Sequence, residues 1–215
     1  MSISIAIKKV QRNLNDYGIG ETLRKVLLSL AGSVYRERTY RIYRRDLRTA
    51  PPAGAVPPGI ELRVIGADDA KAIRDIETME EWLQGAVKER LSRGLCVAAF
   101  DGERVAGFNL VAFDEVYIPL LNMTRRLRPG HAWSEQITVA KEYRKGGLAT
   151  ALRHRVFSEL QQRGFRFLYG GTLLTNIASL KSASKVGFRF LADVRYRKVL
   201  TRDYRAYRRI EHVVP

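Results

Sequence analysis

The segment Ile137-Thr138-Val139-Ala140-Lys141-Glu142-Tyr143-Arg144-Lys145-Gly146-Gly147-Leu148-Ala149-Thr150-Ala151-Leu152 constrains this chain more than any other. It reads as the end of a strand, a basic turn with two glycines, and the start of a helix, so strands and helices alternate along the chain. Glycines let the backbone turn tightly and present successive N–H groups outward. Those donors and the positive end of the following helix form a site for phosphate oxygens, to which Arg144 and Lys145 add charge. On this segment alone a second reading stays open, a strand-to-helix turn whose glycines serve only packing. Two other phosphate turns are excluded. A Walker loop needs Gly-x-x-x-x-Gly-Lys-Ser/Thr, and a dinucleotide fingerprint needs a third spaced glycine with an acidic residue about 20 positions on.

A length of 215 residues suits one globular domain with a modest extension and is short for two full domains. A hydrophobic fraction of 46% excludes a wholly disordered chain. Cys96 is the only cysteine, which excludes an internal disulfide framework, and three histidines without Cys-x-x-Cys spacing give no reason to expect a metal. The formal net charge of +16 points to an anionic partner: a phosphorylated cofactor, nucleic acid or a lipid surface. That excess sits at the ends. Residues 1–50 carry 11 basic and 4 acidic side chains, and residues 189–215 carry 8 and 3, which leaves the middle an ordinary soluble domain.

Along the chain, Leu23, Val26, Leu27, Leu30, Ala31, Val34 and Tyr35 follow helical spacing with Arg24, Lys25 and Arg36 off that face. Tyr40–Arg45 fits either a continuation of this helix or a strand. Four prolines between Thr49 and Gly59 read as a stiff linker, placing a domain boundary near residue 59. Next come a strand at Ile60–Ile65, then a helix capped by Asp68 or Asp69 running toward Leu91 with a break near Gly85. Cys96–Phe100 and Val105–Phe113 flank Asp101-Gly102, a strong hairpin signal. A mixed connection at Asp114–Gly130 leads to a strand at Ala132–Val139 and, after the glycine turn, a helix at Leu148–Arg163. A strand at Phe165–Tyr169, a helix at Asn176–Val186 and a closing hairpin of Phe188–Leu191 with Val194–Leu200 complete the pattern. No stretch is apolar enough to span a bilayer, and the start lacks a secretory signal pattern.

Arg144-Lys145-Gly146-Gly147-Leu148-Ala149 resembles the R/Q-x-x-G-x-G/A signature of the GNAT superfamily of acyl-CoA-dependent N-acyltransferases, with Glu142-Tyr143 as its lead-in. Asn176-Ile177-Ala178-Ser179-Leu180 followed by Lys185-Val186-Gly187-Phe188 is similar to the family's second segment, at the family's spacing. The resemblance spans about residues 60–200. It implies an α/β (α+β) fold with a central mixed, mostly antiparallel sheet flanked by helices, here with a basic helical N-terminal extension. The corresponding division is 1–48 extension, 49–59 linker, 60–200 catalytic domain and 201–215 basic tail. It further implies an acyl-CoA co-substrate, acetyl-CoA first, with its pantetheine arm along Ile137, Thr138 and Val139. The pyrophosphate falls to the amides from Arg144 through Lys145, Gly146, Gly147, Leu148, Ala149 and Thr150, and Asn176 contacts the cofactor from the next helix.

The match has departures. Lys141 stands where proline is common and Gly146 where Lys or Gln is common. Many relatives place a tyrosine four residues before the final glycine to protonate the leaving thiolate; here that residue is Ala183. Ser184 and Ser182 flank it on the helix, Ser184 being the candidate donor; the alternatives are Tyr169, a water, or no acid at all, since a thiolate is a tolerable leaving group. For the base, Glu135 alternates with Ile137 and Val139 and points to the same face of a regular strand; His131 is a second candidate. Cys96 reads as a small buried hydrophobe.

The acceptor amine falls to the Trp82 region and the Asp114–Gly130 connection, where Arg125, Arg126 and Arg128 suit phosphate or carboxylate, as in a sugar nucleotide or lipid head group. Residues 1–48 suit an anionic membrane surface, a second subunit as in a homodimer, or packing on the domain. The expected location is cytoplasmic, peripheral on the inner membrane face if the extension docks there. Two other readings are a catalytically silent CoA-binding or membrane-associated module, and a nucleic-acid-binding protein. The second is disfavoured because no nucleic-acid module is recognisable and both basic regions lie outside the core.

Overall fold

The computed structural model describes residues 35–49 and 55–210. The helix expected at Leu23–Val34 and the middle of the proline-rich stretch lie outside the described residues. The described residues divide into two compact units, 40–49 and 55–194 with 207–210, and 35–39 with 195–206.

In the larger unit the first strand is β1 (Tyr35–Asp46), which belongs to this unit from Tyr40 onward. It is followed by β2 (Ile60–Ile65), α1 (Ala70–Met79), a single 3-10 turn (Glu81–Leu83), α2 (Val87–Ser92), β3 (Gly94–Asp101) and β4 (Arg104–Ala112). A small hairpin of β5 (Glu115–Ile118) and β6 (Met123–Arg126) leads to β7 (His131–Val139) and α3 (Leu148–Gln162). Next are β8 (Phe167–Leu173), α4 (Ile177–Lys185) and β9 (Arg189–Val199), which belongs to this unit as far as Val194. The strands lie in the order β9-β1-β8-β7-β4-β3-β2, antiparallel in the pairs β1/β8, β2/β3, β3/β4 and β4/β7, and parallel between β7 and β8. This is the mixed, mostly antiparallel sheet the motifs implied.

Strand alternation sorts the core onto two faces. Leu95, Val97 and Ala99 of β3 pack with Leu152, Val156, Phe157 and Leu160 of α3 and with Ala183 of α4. Cys96, Ala98 and Phe100 face the other way, onto Ile73 and Ile76 of α1 and Val87 of α2. Cys96 is therefore the buried hydrophobe its setting suggested, with burial pushing its thiol pKa up. Asp69 caps α1 by accepting from the Ala72 amide, and Asn176 caps α4 by accepting from the Ser179 amide, both at 3.1 Å.

Three boundaries differ from the sequence reading. The extension expected over 1–48 contains β1: Tyr40, Ile42, Tyr43 and Leu47 are buried, and Arg41 joins Asp193 of β9 through two 2.8 Å hydrogen bonds. Helical spacing ran into this segment because a strand covered on both faces shows no clean alternation. The expected hairpin at 188–200 is one strand, because Ala192-Asp193, read as its turn, is held in line by that ion pair. The long helix after Asp69 stops at Met79, where Glu80 becomes extended and its carboxylate accepts from the side chains of Gln136 and Thr138. Among the described residues no helix is long and apolar enough to cross a membrane.

In the smaller unit, Glu37 binds Arg195 at 2.5 Å and Arg197 at 3.0 Å. Tyr196 donates to Asp203 at the start of β10 (Arg202–Arg209), so residues read as a basic tail are strand.

Candidate active site

The parallel pairing of β7 with β8 lasts only from His131–Trp133 opposite Phe167–Tyr169. Beyond it β8 continues along β1, while β7 continues along β4 as far as Val139 opposite Gly107. From Ser134 to Val139, β7 is thus paired on one side only among the described residues. A bulge accompanies the divergence. Gln136 faces Leu110 and Ser134 faces Val111, which leaves Glu135 as the extra residue. The result is an open strand edge able to take one more extended chain by main-chain hydrogen bonds.

This edge runs into the glycine turn. Glu142 pairs with Arg104 at 2.7 Å and Tyr143 donates to Asp101 at 2.7 Å, so the lead-in residues pin the turn to the β3/β4 hairpin. Arg144 donates from Nε to the Val139 carbonyl at 3.0 Å. Lys145 then adopts φ 72° and Gly147 φ 84°, two left-handed residues flanking Gly146. Such alternation turns successive amides toward one concavity. Gly147 is the N-cap of α3 and supplies no side-chain cap, so the first amides of α3, at Leu148 and Ala149, keep their donors available. A cleft of about 300 Å³ lies over the turn, lined by Val139, Arg144, Lys145, Leu148 and Thr150 and faced by Lys181, Ser182 and Lys185 of α4. Main-chain donors plus four cations match the chemistry of a diphosphate. Lys181 and Lys185 went unassigned in the sequence, although their i, i+4 spacing puts them on one helical face.

At the other end of the open edge, β7 and β8 enclose a cavity of about 350 Å³. Its walls come from Trp133, Glu135 and Gln136 of β7, Gly171 and Thr172 of β8, Asn176 before α4, and Tyr40 of β1, with Trp82 and the β5 hairpin closing it. Glu135 is buried to 6% side-chain exposure and meets Arg90 Nη1 at 2.5 Å. Burial raises its pKa above the usual glutamate range, and Arg90 opposes that shift without cancelling it. A poorly solvated carboxylate with a raised pKa beside a cavity is suited to accept a proton. Glu80, absent from the sequence reading, holds Gln136 and Thr138 at 2.9 and 2.6 Å.

The other candidates fall as follows. Ile137 is partly buried against the core, Thr138 is tied to Glu80, and Val139 reaches the cleft over the glycine turn. Asn176 caps α4 and lines the cavity. Ser184 is exposed and lines neither space, which corrects its candidacy: one residue past the buried Ala183, the helix turns it to solvent. Ser182 accepts from Arg153 at 2.6 Å. His131 and Tyr169 line a separate cavity of about 370 Å³ with Arg125, Arg126, Arg128 and Tyr207, and only Trp133 belongs to both cavities. Burial and the cations Arg128, Arg44 and Arg166 lower the His131 pKa, so this imidazole is neutral within a cationic pocket.

Residues 61–188 match the family described as the acetyltransferase (GNAT) family. No curated protein matches the sequence. Among solved structures, a GCN5-related N-acetyltransferase from Sphaerobacter thermophilus superposes at a TM-score of 0.57 with 20% identity, over 82% of this chain and 56% of that one. A Drosophila protein gives 0.54 at 12% identity over 84% and 58%, and a protein assigned to the GNAT family from Novosphingobium aromaticivorans gives 0.51 at 17% over 74% and 64%. This chain thus spans somewhat over half the length of these structures, and at such identities they share its fold. With the first motif forming the glycine turn at the end of the open edge, the second forming α4 beside it, and more than half of its residues matched, the chain belongs to the GNAT acetyltransferase family.

Proposed function

We propose that this protein transfers an acetyl group from acetyl-CoA to the amine of an acceptor that carries phosphate or carboxylate. The observation that carries this reading is the unpaired edge at Ser134–Val139, which connects a cationic, amide-lined turn to a cavity lined by a buried carboxylate. A bound thioester supplies the activated acyl carbon. The chain's own residues would grip the diphosphate at Arg144–Thr150, align the pantetheine arm along β7 and take the ammonium proton at Glu135. The donor arm is tested by thermal shift and calorimetry with CoA, acetyl-CoA and longer acyl-CoAs, followed by free-thiol release across an amine panel. Stabilisation by CoA and thiol release are expected. A protein indifferent to saturating CoA removes the enzyme reading.

The anionic acceptor rests on the second cavity, where Arg125, Arg126 and Arg128 stand beside a neutral His131 and the parallel rings of Trp133 and Tyr169. Replacing Arg125 and Arg128 together with serine is expected to raise the acceptor KM about tenfold or more, since each charge-assisted hydrogen bond is worth about 1.5–3 kcal/mol. The KM for acetyl-CoA should stay constant, and an unchanged acceptor KM would overturn this assignment. A sugar nucleotide and a lipid head group share this chemistry. Co-sedimentation with anionic vesicles separates them, compared with a variant lacking residues 1–34. The deletion stops there because β1 begins at Tyr35.

A further inference from the structure

Part of the wall of the cavity between β7 and β8 comes from β1, outside both motifs. Helix α4 offers it no acidic proton: Ala183 is buried in the core, Ser182 is engaged by Arg153, and Ser184 faces solvent. Among the other groups that line it, Glu135 is paired with Arg90, and Tyr117 donates to Asn122 at 2.9 Å from an exposed position. Tyr40 remains. It lies on β1, outside the residues matched to the family, and only 5% of it is exposed. Its hydroxyl has no hydrogen-bond partner among the described residues. Tyr43, three residues on, points into the core instead.

The backbone makes room for this ring. A Cβ at Gly171 would fall 2.2 Å from Tyr40 Cε1 and 2.7 Å from its hydroxyl oxygen. The phenol therefore lies directly on the β8 main chain, at the point where β8 has parted from β7. The same cavity exposes Glu135, Gln136 and Thr172, so the hydroxyl shares one small space with the carboxylate assigned as base.

Resting on the acyltransferase reading, we propose that Tyr40 is the residue that hands a proton to the departing sulfur. As the amine nitrogen bonds to the thioester carbon, the C–S bond breaks and its electron pair goes to sulfur. The Tyr40 proton moves to that sulfur, giving the free thiol, and the phenolate recovers a proton released by the acylated nitrogen. Burial pushes the Tyr40 pKa up, so the donor is fully protonated at every working pH. Position on β1 explains how a chain with Ala183 in the usual place retains a phenol.

The test uses Tyr40→Phe, which keeps the ring that packs on Gly171. The expected result is a fall in kcat of about 10²-fold with acetyl-CoA affinity within twofold, the size ordinary for a lost acid. A second readout needs no turnover. In full-length protein labelled with 3-fluorotyrosine, the ¹⁹F resonance missing from the Tyr40→Phe variant should shift on adding CoA and stay still on adding desulfo-CoA. A kcat within threefold of wild type, or equal shifts with both ligands, overturns the assignment while leaving the acyltransferase reading standing. If CoA itself fails to bind, both fall together.

Discussion

Glu135→Gln is expected to lower kcat about 10³-fold while acetyl-CoA affinity stays within a factor of about two, because the substitution removes a proton acceptor and keeps the shape. The pH dependence carries more information than the loss. As the proposed base, Glu135 works only when ionised, and its pKa is raised by burial and held back by Arg90. Arg90→Gln removes the opposing cation, so the acid limb of kcat/KM should move to higher pH. Stability follows the same sign. A carboxyl group whose folded pKa lies above its unfolded value contributes stability at low pH, and loses it as pH rises through the folded value. Arg90→Gln should therefore destabilise the protein by about 3 kcal/mol at neutral pH and by less in acid, since it strands a buried charge. Adding Glu135→Gln to that variant should restore most of the loss. Chemical denaturation of the four proteins at two pH values decides this, and a pH-independent Arg90→Gln effect would show that the pair is merely structural.

The sequence revealed the parts of the site built from contiguous residues and missed the parts built by the sheet. The turn at Arg144–Thr150 and the cap at Asn176 are local: strand, glycine, helix start and capping amide all lie within a few positions, and the fold leaves them where the motifs put them. Glu135 became a candidate for an incomplete reason. Plain alternation pointed it to the face of Ile137 and Val139, whereas a bulge opposite Leu110/Val111 gives it a place of its own, and no residue type announces such an insertion. Glu80 and Tyr40 left no trace, because each reaches the site through a pairing made by distant segments. Glu80 breaks a helix to meet Thr138, and Tyr40 crosses Gly171 from a strand whose coverage on both faces hides its period. Gly170-Gly171 was the available hint, since two adjacent glycines within a strand signal the close approach of another group.

Gly147→Val is expected to weaken CoA binding by two orders of magnitude or more. The position has room for a side chain, as a Cβ there meets nothing within 4 Å, so the effect is one of conformation. Gly147 holds φ 84°, where an L-residue costs about 1–2 kcal/mol and a β-branched one more. Valine relieves that strain by rotating the peptide, which turns the donors at the start of α3 away from the concavity. With each hydrogen bond to a charged oxygen worth about 1.5–3 kcal/mol, losing two is enough for the predicted change. Gly146→Ala provides the contrast. Its φ is not positive and its Cβ would meet only the Tyr143 carbonyl at 3.8 Å, so the same amide stays in place and affinity should fall far less. The ligand supplies the decisive control. S-acetylpantetheine lacks the diphosphate, so its kcat/KM should be nearly equal in wild type and Gly147→Val, whereas kcat/KM for acetyl-CoA collapses toward that common value. If both donors lose activity in parallel, the turn acts by supporting β7, and the diphosphate is held elsewhere.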